Sequence, residues 1–161
     1  MLKADIKALL EEKGIPFRWV DHEPVYTMED MARLGLDDES NAAKNLFLRD
    51  AKGKRHFLVV IRSDKQADLK AFSARFETSR LSFGSEERLE KHLHLKKGAV
   101  TPLGILNNEE KDVEVIFDED LCGLDTIGVH PNENTASVYL SPKDVIELIK
   151  EHGNPIQIVK L

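Results

Sequence analysis

Cysteine is almost missing: Cys122 is the only one in 161 residues. That excludes an internal disulfide and any multi-cysteine zinc or iron–sulfur cage built by one chain, and it fits a reducing compartment. Long apolar runs are missing as well. Met1 is followed by Leu2-Lys3-Ala4-Asp5-Ile6 without the apolar stretch of a secretory signal, and no later run approaches membrane-spanning length. The expected location is the cytoplasm, with no membrane partner. The sequence also lacks G-x-S-x-G, H-E-x-x-H, P-loop and G-x-G-x-x-G patterns, so serine hydrolase, zincin, NTPase and dinucleotide-fold readings have no residues to rest on. His92 and His94, two apart on an expected helix or at its end, do not share a helical face. They read as surface histidines, and no metal or other cofactor is expected. Cys122, beside Gly123 in an acidic stretch with no nearby cation to favour the thiolate, reads as structural.

What is present describes one folded unit. Hydrophobic residues make up 41% of the chain and charged residues 32%, a globular balance that excludes wholesale disorder and a collagen-like fibre. Residues 1–161 read as a single domain. The formal charge of −6 argues at first sight against nucleic acid. The distribution reverses that argument locally: from Lys44 to Lys97 there are 14 Lys or Arg against 7 Asp or Glu, and the remainder has 9 against 22. A basic block of this kind is either a solvated face or a phosphate-binding surface.

Periodicity gives an α+β domain with a mixed, largely antiparallel central sheet surrounded by helices. Leu2, Ile6, Leu9 and Leu10 form the stripe of an opening helix stopped by Gly14-Ile15-Pro16. Phe17 to Val20 reads as a short strand, and Tyr26 to Ala32 as a helix capped by Thr27 and closed by Gly35. Leu46-Phe47-Leu48 and Phe57 to Ile61 flank a hairpin loop, Asp50 to Lys54. Leu69, Phe72 and Phe76 fit one helix, and Ser85 caps another carrying Leu89 and Leu93. Val113, Val115 and Phe117 alternate, as do Ala136, Val138 and Leu140. Ser141-Pro142 starts a helix that Gly153 ends, and Ile156 to Val159 returns as a strand.

Three segments stand at element boundaries, where rigid elements deliver polar groups into a shared cleft. They are Ala43-Lys44-Asn45-Leu46, Gly98-Ala99-Val100-Thr101-Pro102 and Gly128-Val129-His130-Pro131. Singly, each has a plain explanation: Lys44 as a solvated side chain, Gly98 as a helix C-cap, His130 as a loop residue fixed before proline. Together with Arg80-Leu81-Ser82-Phe83-Gly84-Ser85-Glu86-Glu87, the continuation Leu103-Gly104, and His130-Pro131-Asn132-Glu133-Asn134-Thr135, they resemble the YbaK/prolyl-tRNA-synthetase-associated editing domain family over nearly the whole chain. Members of that family hydrolyse wrongly charged aminoacyl-tRNA. The segment around His130 looks like the branch of free-standing alanyl-tRNA(Pro) deacylases rather than the cysteinyl-specific YbaK branch.

The resemblance implies a trans-editing hydrolase that deacylates Ala-tRNA(Pro). A site built for proline cannot exclude smaller alanine by sterics, and a lost methylene or two gives only about 10- to 200-fold discrimination, so a second, smaller sieve is needed. The resemblance gives Lys44 and Gly98 catalytic roles, Lys44 engaging the terminal phosphate or adenosine. It gives Asn45, Ala99, Val100, Thr101, Pro102 and His130 substrate-binding roles, and suits Arg80 to a tRNA phosphate. Its implied partner is the acceptor end of tRNA(Pro), with prolyl-tRNA synthetase or an elongation factor engaged transiently, and no DNA. Two alternatives stay open: clearance of Cys-tRNA(Pro) or another small aminoacyl-tRNA by the same fold, and a module that binds tRNA or a synthetase without cleaving anything.

Overall fold

The computed structural model describes residues 1–24, 29, 33 and 42–161. The elements in chain order are α1 (Lys3–Glu12), β1 (Arg18–Asp21), β2 (Ala43–Arg49), β3 (His56–Arg62), α2 (Leu69–Arg75), β4 (Ser82–Phe83) and α3 (Glu86–Leu93). A 3-10 helix (Pro102–Asn107) follows, then β5 (Glu114–Asp118), β6 (Ile127–Val129), β7 (Ala136–Leu140), α4 (Pro142–His152) and β8 (Ile156–Val159). The helix expected over Tyr26 to Ala32, with Thr27 and Gly35 at its ends, falls outside the described residues apart from Glu29.

The α+β class holds, with the strands divided between two sheets. One is three-stranded and antiparallel, in the order β1-β7-β6, and the other is five-stranded, in the order β4-β2-β3-β5-β8. In the larger sheet β2 pairs antiparallel with β3 and β4, whereas β5 runs parallel to both β3 and β8. The division follows from where apolar faces find cover. β3 is buried from His56 through Ile61, the mark of a strand enclosed on both sides. Its Leu58 and Val60 join a core with Phe117, Val138, Leu140, Leu93 and Ile149, while Phe57, Val59 and Ile61 pack under Phe72 and Leu81. The smaller sheet closes the first core with Ile127, Val129, Val138 and Leu140. Its other face carries Gly128, Ser137 and Tyr139.

Local signals explain the helix ends. The Ser85 hydroxyl accepts from Arg88 N, and the Ser141 hydroxyl accepts from Lys143 N with Pro142 in the first turn, satisfying amides that a helix start leaves free. Gly153 closes α4 at φ 107°. The end of α3 differs from expectation: its C-cap is His94 at φ 52°, not Gly98. The early left-handed turn swings Leu95 into the core, where it is 1% exposed. Gly98, at φ 90°, makes a separate turn four residues on.

Candidate active site

β2 sets the first two candidate residues. The strand begins at Ala43, so Lys44 and Asn45 lie within it rather than before it, and successive strand side chains leave by opposite faces. Asn45 takes the face of Ala43 and Phe47, and Lys44 that of Leu46 and Leu48. The smaller partner β4 meets β2 only at Leu48 and Arg49. Among the described residues, Lys44 and Asn45 therefore pair only with Ile61 and Val60 of β3. Lys44 is half-buried, and no carboxylate pairs with its ammonium among the described residues.

The segment Gly98–Pro102 approaches the Asn45 face. Val100 lines a cleft of about 350 Å³ together with Asn45, Phe47, Phe83, Leu89 and Lys97. Gly98 needs its missing side chain, because φ 90° is a conformation that residues with a Cβ rarely adopt. Ala99 N donates to Lys96 O at 3.1 Å, tightening the turn. Thr101 and Pro102 hold the loop instead of presenting polar atoms. Thr101 is fully buried, and its hydroxyl accepts from Leu103 N at 3.3 Å to cap the 3-10 helix that Pro102 begins. Ala99 borders a second depression shared with Lys96, Lys97, Asn132, Glu133 and Asn134, so this loop and the one after His130 meet.

His130 follows β6 directly, since Ile127–Val129 is itself a strand. Its Nδ1 donates to Ala136 O at 2.9 Å, which leaves Nε2 with its lone pair. Burial lowers its pKa, the bond to the Ala136 carbonyl pushes the other way, and the neighbouring His22 adds to the lowering. The ring is thus a neutral acceptor at physiological pH. His22 stands edge-on to it at 6.2 Å. His22 Nδ1 donates to Glu23 O at 2.7 Å, and Nε2 takes the Ser137 hydroxyl at 2.9 Å. That serine–histidine distance would suit a nucleophile and its base. Ser137, however, is 1% exposed on a central strand, beyond the reach of an ester, and serves to orient His22. No motif or spacing in the sequence singles out His22.

Arg80 is not brought to Lys44. Ser82 pairs with Arg49 and Ala51 N donates to Ser79, which puts Arg80 beyond Arg49, itself roughly 17 Å from Lys44 at about 3.3 Å per residue. It is exposed, on a shallow groove with Lys70 and Ser73.

A second histidine pair lies behind the cleft. His56 and His92 pack with centroids 4.0 Å apart and planes tilted by 36°, and Phe47 stacks on His56 at 5.7 Å. Arg88 Nη1 donates to His56 Nε2 at 3.1 Å and to Gly53 O at 3.2 Å. Burial, followed by the adjacent His92 and Arg88, pushes the His56 pKa down to about 4. His92 is therefore a packed partner and not a surface histidine; its pKa also falls, mainly through burial. Cys122 is half-buried, and burial beside Glu119 and Asp118 raises its thiol pKa, in keeping with a structural role. Among the described residues no three His, Cys, Asp or Glu side chains converge as a metal site, and no helix is long and apolar enough to cross a membrane.

Glycine-turned loops, an apolar cleft and a buried imidazole thus lie together on one α+β domain. The profile of the aminoacyl-tRNA editing domain matches residues 22–148, and the chain belongs to that family. It is 44% identical over 159 residues to the "Prolyl-tRNA editing protein ProX" of Acetoanaerobium sticklandii, covering 99% of this chain and 97% of that one. It is 30% identical over 152 residues to the zebrafish (Danio rerio) "Prolyl-tRNA synthetase associated domain-containing protein 1", covering 93% and 82%. The fold matches a crystal structure described as a candidate trans-editing enzyme for prolyl tRNA synthetase, with a TM-score of 0.71 at 19% identity over 99% of this chain and 96% of that one.

Proposed function

We propose that this protein is a trans-editing hydrolase that removes a wrongly attached amino acid from tRNA(Pro), with alanine as the amino acid cleared, in the cytoplasm. The observation that carries the reading is the Gly98 loop meeting both the Asn45 cleft and the loop after His130, in a chain 44% identical along nearly its whole length to a prolyl-tRNA editing protein.

The aminoacyl ester is already reactive, so the site needs to hold the 3′ end, admit water and support the developing oxyanion. Water adds to the ester carbonyl and the bond to the ribose oxygen breaks. One proton of that water passes to the ribose oxygen, which leaves as a hydroxyl, and the other is released to solvent as the amino acid departs as its carboxylate. Lys44, a flexible point charge on β2, takes the phosphate or adenosine of the terminal nucleotide. Gly98 lets the backbone approach the ester, Ala99 and Val100 form the apolar wall, and Thr101 and Pro102 keep the turn rigid. Neutral His130 accepts a hydrogen bond from the substrate's α-ammonium. Arg80, far along β2, contacts the acceptor stem. Prolyl-tRNA synthetase or an elongation factor would hand over the substrate.

The test is deacylation of Ala-, Pro- and Cys-tRNA(Pro) by the native protein and by Lys44→Ala. Loss of alanine with proline spared, abolished in a folded Lys44→Ala, is the expected result. Preferential release of cysteine would transfer the substrate to the sister branch, and full activity in the variant would remove Lys44 from the site.

A further inference from the structure

Phe83 is 61% exposed in a two-residue edge strand, at the rim of the cleft that Asn45 and Val100 line. An exposed large aromatic is unremarked alone, but this one stands over an apolar hollow with Phe47, Leu46 and Leu89 in its walls. On the same wall the side-chain oxygen of Asn45 is shut off from solvent and has no hydrogen-bond partner among the described residues, an arrangement that ordinarily costs stability. Lys97 gives the mouth a positive charge, within the basic stretch, against the single carboxylate of Glu86. The volume, about 350 Å³, lies in the range of small-ligand sites.

Resting on the function proposed above, we propose that this cleft holds the unpaired base immediately 5′ of the aminoacylated adenosine, stacked on Phe83 and hydrogen-bonded by the Asn45 amide. A base offers a π face to an aromatic rim and adjacent donor and acceptor atoms on its edge, which a primary amide matches in pairs. The terminal torsion of asparagine is broad and two-fold, so the amide turns to suit. Position selects the nucleotide. Val100 lines the cleft and lies two residues from Gly98, so the cleft neighbours the loop assigned to the ester without being the same pocket, while Lys44 leaves β2 by the opposite face. Gly84 fixes the geometry behind the rim: a Cβ there would sit 2.5 Å from the Phe47 ring, so the backbone after Phe83 lies flat on that ring.

The test is the affinity, at fixed salt, of an acceptor-stem hairpin with its single-stranded 3′ end, either intact or abasic at the penultimate position. The native protein, Phe83→Ala and Phe83→Trp are compared. Aromatic–base stacking implies about a tenfold loss or more when either partner is removed. The expected result is such a loss for the abasic hairpin with native protein, an equal loss for Phe83→Ala with the intact one, no further loss for the two together, and recovery with Phe83→Trp. Losses that multiply, or native affinity in Phe83→Ala, overturn the proposal. Because Phe83 is largely exposed, its truncation leaves the fold intact, and a matching thermal melt verifies this. Deacylation by the native protein is assayed alongside. Coupled binding without hydrolysis overturns the functional reading alone, and hydrolysis without coupled binding overturns this inference alone.

Discussion

Lowering the pH should destabilise this protein through His56, and the size of the effect follows from its surroundings. The ring is 4% exposed, its Nε2 accepts from Arg88, and His92 packs against it with the two planes tilted by 36°. A proton on Nε2 would replace that accepted bond with a cation set against a guanidinium. The folded pKa, about 4 against an ordinary 6.5, lies below the unfolded one, so in the window between them the unfolded chain binds the extra proton. Stability is then fully present above pH 6.5 and falls by about 1.4 kcal/mol for each unit of acidification until the folded pKa is reached. By pH 5 the loss is about 2 kcal/mol, and near pH 4 about 3 kcal/mol. His92, shifted in the same direction, adds to it. Urea denaturation midpoints at pH 8, 6.5, 5.5 and 5 measure the slope in the native protein and in His56→Phe, which keeps the stack and cannot titrate. The variant should lose close to one proton's worth of slope. Parallel profiles would refute the argument, for they would mean that His56 binds its proton equally well folded and unfolded.

Three further outcomes are expected. Gly98→Ala, forced to keep φ near 90°, should lose about 1–3 kcal/mol of loop stability and most deacylation, read by turnover at an unchanged far-UV spectrum. Gly104→Ala would put a Cβ 2.4 Å from Leu95 Cδ1 in a fully packed region, so its thermal midpoint should fall by an amount equivalent to about 1–3 kcal/mol; a native-like melt would show that Leu95 can yield. Arg80→Ala should flatten the dependence of log affinity for tRNA on log salt by about 0.7–0.9, whereas Lys111→Ala, in the acidic remainder, should leave the slope unchanged. Equal slopes would make the charge contribution diffuse.

The elements were legible where one segment carries its own cause. The apolar run through β3, the alternation of Val113, Val115 and Phe117, and the Ser85 and Ser141 caps all act within a few residues, and each appears where periodicity puts it. What could not be read depends on partners distant in the chain. His92 meets His56 from another element, a pairing that no spacing encodes. Ser137 and His22 meet only because β1 pairs with β7. Lys44 and Asn45, adjacent in sequence, diverge because β2 starts one residue before Lys44, and strand boundaries are the least determined feature of a hydrophobic pattern. The residues assigned to tRNA contact and catalysis came from the family resemblance. The structure supplies their placement: the Gly98 and His130 loops meet, Thr101 is withdrawn into a cap, and Arg80 stands apart.

The pairing of β1 with β7 also determines when the protein becomes complete. Asp21 has no strand to join until Ala136 has been made, and β5 and β8 likewise close the larger sheet with late chain. At about 5–20 residues per second, several seconds or more separate synthesis of the first strand from synthesis of its partner. During that interval the segment carrying His22 waits as unpaired edge, while β2 and β3 can already form their hairpin. Contacts this distant along the chain make for slow folding, so the two imidazoles come together near the end of assembly.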